Sequence, residues 1–502
     1  MILTGSACMS NNKGPLEDNM NLDEQKSNSA DIPGCVRRLS NSERLFLLSV
    51  QSSVAMAARV VGDVSERDLL RAINTARRMH PLLGAKVIFD DQHGAWFSTD
   101  NVPETMLSAV PRTSDTQWVD EIQREHMMPF QLEKGPLIRF VLVYSRPVSE
   151  LIVFASHEIC DGVALANLIR DILVFYAEPV NDMKVIEPPL GADYLQRDVD
   201  LSPLKSMGSD VINNFNLEWR KRPYYFSQAD FSEVHKAYWE KMRHKIVLLQ
   251  LEPEETSALI AKCREYGVTI ISATTAAFLT AYQDIMRHFP SDQNIACIPY
   301  DLRRRLSGND KDAFCLFVGV SAFPISQFSG KNIWEDAQKI HGIIHKDAGR
   351  LNTTSPEFGL FDPTLIDACF NFAPLIQFVP EAFERTENLS AFASDTKNIA
   401  LMIARSHKKR NPAIINTNIG RMDFPEIYGN LKLDRMFFLP PASLFTPLML
   451  GGIGIGGRLA FTLNYIEQVK DNGPSPSRDM IQVRNRALEY LGFPEKANGK
   501  AI

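Results

Sequence analysis

Between residues 150 and 177 the hydrophobic period changes once, and that change limits the folds open to the chain. Glu150-Leu151-Ile152-Val153-Phe154-Ala155-Ser156 is a continuous apolar run, the pattern of a strand covered on both faces. Beyond Gly162, the residues Val163, Leu165, Leu168, Ile169, Ile172, Leu173 and Tyr176 recur at helical spacing and predict one broad-faced helix ending near Ala177. The junction reads Ser156-His157-Glu158-Ile159-Cys160-Asp161-Gly162. A strand-to-helix junction of this kind is where open α/β sheets build their sites.

Other elements follow from the same patterns. A helix is expected over 65–79, with Ser65 as N-cap and Leu69, Leu70 and Ile73 on its apolar face. Met79-His80-Pro81 ends it, and a strand runs from Gly84 to Phe89. Another strand spans 137–144. The stretch 179–235, rich in Pro, Gly and mixed charge, reads as a connection between two halves. The second half is expected to hold strands at 245–251, 294–300 and 413–418, helices at 253–266 and 272–287, and a long mixed region. It closes with a hairpin pair at 444–450 and 458–465 and a helix over 477–491. Mixed alternation with several strands per half predicts two similar α/β sandwiches. The boundaries are a disordered polar tail (1–35), an N-terminal subdomain (36–178), the 179–235 linker, a C-terminal subdomain (236–492) and a short tail (493–502).

At 502 residues the chain exceeds the usual limit of a single core. Its net charge of −6 lacks the basic stripe that nucleic-acid binding needs. Seven cysteines, an odd number without a C-x-x-C pair, point away from a disulfide framework or a zinc site and toward a reducing, cytoplasmic compartment. The first ten residues have no signal-peptide pattern, and no stretch reaches the roughly 18 apolar residues of a membrane helix. The longest candidate, 437–455, is interrupted by Pro440, Pro441, Pro447 and several glycines. A monomer without metal or resident cofactor is expected.

His157 is the residue at the junction with useful acid–base chemistry. An imidazole with a pKa near 6.5 can take a proton from a hydroxyl or an amine at neutral pH. Gly162 would permit a tight turn into the helix. Asp161 can fold back to bind a cation or the backbone, and if buried it needs a partner. A histidine at a strand end can equally be a satisfied structural residue.

In this setting the sequence resembles the condensation-domain and H-x-x-x-D acyltransferase superfamily, which has the chloramphenicol acetyltransferase fold. Besides 156–162, the matching segments are Leu69 to Leu83, then Pro129-Phe130-Gln131-Leu132 with Gly135-Pro136-Leu137-Ile138-Arg139, then Pro299-Tyr300-Asp301-Leu302-Arg303, and finally Asn418-Ile419-Gly420-Arg421. They occur in the expected order over about residues 36–491. The resemblance implies two like halves arranged as a pseudo-dimer around a central channel. His157 would lie in that channel as general base, removing the acceptor's proton so that its oxygen or nitrogen attacks a thioester carbonyl. The thioester, an acyl-CoA or a phosphopantetheine arm on an acyl carrier protein, is a substrate and not a cofactor. The family's aspartate is mostly structural and pairs with an arginine. Carried over, that pairing joins Asp161 to Arg303, with Arg304 and Arg305 as rivals.

There are departures. The D-F-G-W-G box of plant members has no match, and Leu450-Gly451-Gly452-Ile453-Gly454-Ile455-Gly456-Gly457 stands in its place. A strand pattern follows it, so these glycines read as a hairpin turn and not as a phosphate loop. The alcohol acyltransferase and polyketide-associated branches fit better. Asn418 and Gly420 either supply an oxyanion donor or form a strand-ending turn. Cys160 on the same tight loop as His157 is a poor nucleophile partner, and His80 reads as packing. Three functions stay open: ester formation on an alcohol, amide formation on an amine, and a non-catalytic scaffold that binds a carrier or metabolite. Secondary metabolism is the expected setting.

Overall fold

The computed structural model describes residues 32–180, 182–189, 207–303, 311–348, 356–407, 411–469 and 476–497. The apolar run at 151–155 is buried on both faces as its pattern requires. It lies inside strand Val148–Ser156, which pairs antiparallel with Ser53–Val61 on one side and Ile138–Tyr144 on the other. Ser53–Val61 was not expected. Its Ala55, Ala57 and Ala58 suit a helix as well as a strand, and burial between two neighbouring strands decides the outcome.

Among the described residues the strands form two six-stranded sheets and one of three. The first large sheet runs Ile427–Tyr428, Leu431–Leu439, Ser53–Val61, Val148–Ser156, Ile138–Tyr144, Leu107–Pro111. Helices Glu66–Met79 and Gly162–Ala177 pack together on it. The second runs Val318–Pro324, Gln293–Asp301, Asn411–Arg421, Leu448–Ile455, Arg458–Gln468, Met242–Leu251. Its helix layer includes Ile270–Met286, flanked by Ile333–Ala348 and Pro476–Leu491. The mixed α/β chain therefore has the two-subdomain, pseudo-dimeric architecture of two sheet-and-helix units.

The expected boundaries need correction in two places. The 179–235 stretch is not a bare connection. It carries helix Met207–Lys221 and most of Gln228–Lys241, whose buried faces include Trp219, Tyr238 and Trp239. Its charges are the exposed sides of amphipathic helices, which composition alone mistakes for a linker. Nor does 236–492 form one unit, because 427–439 crosses over to complete the first sheet, Phe437 opposite Ala57 and Leu439 opposite Ala55. A strand's alternation shows which face is buried but not which sheet receives it.

The closing hairpin is shifted, pairing Leu448–Ile455 with Arg458–Gln468. Only Gly456 and Gly457, with φ of +55° and +78°, make the turn. Gly451 and Gly452 lie within the strand, where a Cβ would fall 2.4 Å from the Phe438 carbonyl oxygen or 2.5 Å from the Phe461 ring. The missing side chain at Gly451 lets the crossing strand approach, and the one at Gly452 leaves room for Phe461 and Asn418. Thr462 Oγ donates to that same Phe438 oxygen at 2.5 Å.

From Thr462 a buried polar chain runs into the first unit. Asn464 Nδ2 donates to Met449 O, Thr462 O and Thr462 Oγ, so its Oδ1 is left as acceptor. His244 Nε2–H therefore donates to Asn464 Oδ1 at 3.1 Å, and His126 Nε2–H donates to His244 Nδ1 at 2.9 Å. His244, which accepts at Nδ1 and donates from Nε2, must be neutral for this pattern. Burial holds His126 well below the usual histidine range and His244 at about 4.

A depressed folded pKa contributes stability above the unfolded value near 6.5 and loses it as pH falls toward the folded value. His244 alone should remove about 3 kcal/mol of stability between pH 7 and pH 4. Urea midpoints across that range should fall more steeply for the wild type than for His244→Gln. Equal slopes would mean that the histidine chain does not govern acid stability.

Candidate active site

The 148–156 strand ends at Ser156, and His157–Ile159 forms one 3-10 turn before Asp161 starts the next helix. The His157 Nδ1 atom lies 2.6 Å from the Cys160 carbonyl oxygen. A carbonyl can only accept, so Nδ1 carries the proton and Nε2 carries the lone pair. Among the described residues no hydrogen bond engages Nε2. The side chain is partly exposed, and the Phe46 ring lies against its face with centroids 4.2 Å apart. Burial lowers the His157 pKa below the usual histidine value, opposed by the Cys160 carbonyl and by the charge of Asp161.

Asp161 is the N-cap of helix Gly162–Ala177. Its Oδ1 accepts from Ala164 N at 2.9 Å. Its Oδ2 accepts from Arg303 Nη1 and from Phe317 N, both at 2.8 Å. Arg303 also donates to Asp301 Oδ1 at 3.1 Å and to Cys315 O at 2.6 Å. Aspartate and arginine are 2% and 3% exposed, so the pair is sealed from water. Burial opposes the guanidinium charge, but Asp161, Cys315 and Asp301 together outweigh it, leaving the Arg303 pKa above its ordinary value. Arg304 and Arg305 lie outside the described residues.

Gly162 is required for a reason other than the expected turn. It is the first helical residue, and a Cβ there would fall 2.6 Å from Phe438 Cζ and 2.9 Å from Ile419 Cγ2. It makes room for the crossing strand and for the segment that holds Asn418 and Gly420. Gly420, with φ +85°, donates its N–H to Asn418 Oδ1 at 2.9 Å where the strand bulges. That local turn consumes the oxygen of Asn418 and leaves its Nδ2 group as a donor, so the two readings of Asn418 are compatible.

Three neighbours have bland roles. Burial pushes the Cys160 thiol well above its usual range, so a thiolate nucleophile is disfavoured. Glu158 is fully buried, accepts from Ser156 Oγ at 2.6 Å and is pushed by burial to about 8, which keeps it a neutral acid at neutral pH. His80 is buried with Nε2 3.3 Å from Asp171 Oδ2. Phe46 was missed by sequence reasoning. The Ser40/Glu43 capping box could have announced its helix, but no local signal reports a stacking partner more than a hundred residues away.

No family model matches the chain. An alignment of 249 positions, covering 45% of this chain, is 25% identical to the polyketide synthase PksN of Bacillus subtilis (strain 168) and spans 4% of that protein's length. Among solved structures the fold is similar to polyketide synthase associated protein 5 from Mycobacterium tuberculosis, with TM-score 0.59, 15% identity, and coverage of 92% of this chain and 99% of that one. It is similar to TRI3 trichothecene 15-O-acetyltransferase from Fusarium sporotrichioides, with TM-score 0.59, 14% identity and 91% and 95% coverage. It is also similar to the condensation domain of the Monacolin K polyketide synthase MokA, with TM-score 0.55, 9% identity and 92% and 97% coverage. The fold is thus that of condensation domains and chloramphenicol acetyltransferase-like acyltransferases.

Removing one partner of a buried ion pair leaves the other uncompensated, at a cost of about 3–5 kcal/mol. Asp161→Ala should lower the melting temperature by about 3–5 °C in a chain of this length, and Asp161→Ala/Arg303→Met should regain much of the loss. Equal destabilisation by single and double variants in thermal melts would show that Asp161 acts through its helix cap and not through Arg303.

Proposed function

We propose that this chain, built on the fold of condensation domains and acetyltransferases, moves an acyl group from a thioester to an alcohol with His157 as general base. The observation that carries this reading is the tautomer of His157. With Nδ1–H committed to the Cys160 carbonyl, Nε2 is a free base on a partly exposed ring at the junction of two subdomains. Nε2 accepts the proton of the acceptor's hydroxyl as its oxygen attacks the thioester carbonyl. The proton then passes to the departing thiolate, so the base is regenerated without a covalent enzyme intermediate. Asn418 Nδ2 is assigned to the developing oxyanion. Asp161, Gly162 and Arg303 hold the turn and do not touch substrate.

The donor is an acyl-CoA or an acyl carrier protein, arriving in a central channel between the subdomains. The likeness to a polyketide synthase segment and to a polyketide-associated protein supports a carrier and a role in secondary metabolism. Amide formation by the same base is the second reading, favoured by the condensation domains among the similar structures. Scattered cysteines support a cytoplasmic setting for a monomer. No helix among the described residues is long and apolar enough to cross a membrane.

Incubation with a panel of acyl-CoAs and acyl carriers against alcohols and amines, read by mass spectrometry, tests donor and acceptor together. His157→Ala should reduce turnover by about 10²–10⁴-fold with an unchanged melting temperature. Because the base works unprotonated and its pKa is depressed, kcat/KM should stay flat down to about pH 6.5 and decline only below it. Full turnover by His157→Ala would remove the base from the mechanism.

A further inference from the structure

We propose that Phe46 is a positioning residue for His157, holding the imidazole in its productive plane from the opposite side of the turn. This rests on His157 being the base. One hydrogen bond, from Nδ1 to its own turn at Cys160, restrains the ring, and a single bond leaves the ring free to tilt. The face of Phe46, 4.2 Å away at 38° between planes, is the second restraint.

Phe46 can do this because its helix, Asn41–Leu47, is tied down along its length. At the start, the Ser40/Glu43 capping box closes the first turn and Glu43 receives the buried Arg37 at 2.5 and 2.8 Å. Asn41 Nδ2 donates to the carbonyls of Phe358, Gly359 and Phe361. Arg44 Nε donates to both oxygens of Asp367, at 2.9 and 3.0 Å, and Arg44 Nη2 to Oδ2 at 2.5 Å. Asp367 opens a π-helical turn, Asp367–Phe372, within the second half of the chain. A seven-residue helix is too short to be rigid alone, so these tethers fix the position of the Phe46 ring.

The aromatic face also excludes water from one side of the imidazole, which favours its neutral form. The charged or titratable groups around the turn are Asp161, Glu158 and the Cys160 thiol, which burial keeps neutral, on its own element, Glu43 and Arg44 on the 41–47 helix, and Arg303 behind Asp161. Asp161 and Glu43 are each paired with an arginine, Arg44 with Asp367, and Glu158 is a neutral acid. Removal of the aromatic face therefore changes hydration and ring freedom more than it changes charge.

The test uses the full chain with Phe46→Ala, Phe46→Leu and Phe46→Tyr. The His157 imidazole is followed by NMR titration, its resonance identified by its loss in His157→Ala, and kcat, KM and the acid limb of the rate are measured in parallel. Phe46→Ala and the better-packed Phe46→Leu should both move the His157 titration to higher pH, with kcat down about tenfold or more and KM within about twofold. Phe46→Tyr should restore the wild-type titration and rate. A titration unmoved in folded Phe46→Leu overturns the positioning role. A titration that moves as expected, in an enzyme whose His157→Ala variant keeps full turnover, upholds the positioning of the ring and overturns only the reading of His157 as base.

Discussion

The ion pair between Asp161 and Arg303 is the contact on which the geometry of the site depends. One carboxylate accepts from three segments: the first turn of its own helix at Ala164, Arg303 beyond the end of the 293–301 strand, and the Phe317 amide just before the next strand. The aspartate belongs to the first unit and its partners at 303 and 317 to the second. Burying both charges costs several kcal/mol per ion, and their attraction with full hydrogen bonding only about recovers that cost. The pair therefore contributes register more than stability. It sets where the second half sits relative to a turn whose histidine is four residues upstream.

That register matters because the junction tolerates almost no slack. Phe438 lies against Gly162 with one edge of its side chain, and its carbonyl accepts from Thr462 in the other sheet. Gly451 leaves room for the same crossing strand, Gly452 for Phe461 and Asn418, and Ile419 closes on Gly162 from the segment that holds Asn418. Small residues on both sides of the crossing strand are what allow one strand of the second half to finish the sheet of the first. A Cβ at any of these glycines would displace backbone or ring and open the space around the helix start.

How much of this was legible in the sequence depends on how local each signal is. The switch from an apolar run to a helical period at Gly162 is written in adjacent residues, and the strand, turn and helix formed where that pattern put them. Ser65 caps its helix as its position implied. The pairing of Asp161 with Arg303 was reached through family resemblance, since nothing between residues 161 and 303 encodes it. The crossing strand, the helices at 207–221 and 228–241 and the contact of Phe46 with His157 were not legible. Each depends on which distant surface a buried face meets, and periodicity specifies the face without its partner. Gly162 shows the same limit at one residue: the glycine was noticed, but the reason for it was a phenylalanine 276 positions away that no local rule supplies.

The electrostatic surroundings of His157 follow from these packing facts. The charge of Asp161 raises the proton affinity of the imidazole. Burial is nevertheless the larger influence, and the His157 pKa ends below its ordinary value. Burial likewise keeps Glu158 and Cys160 in their neutral forms, though each would be negative if ionised. The turn thus holds one charged group, already compensated, and one free lone pair. The same ion pair that sets the register of the two halves also anchors the start of the helix next to the turn on which that lone pair stands.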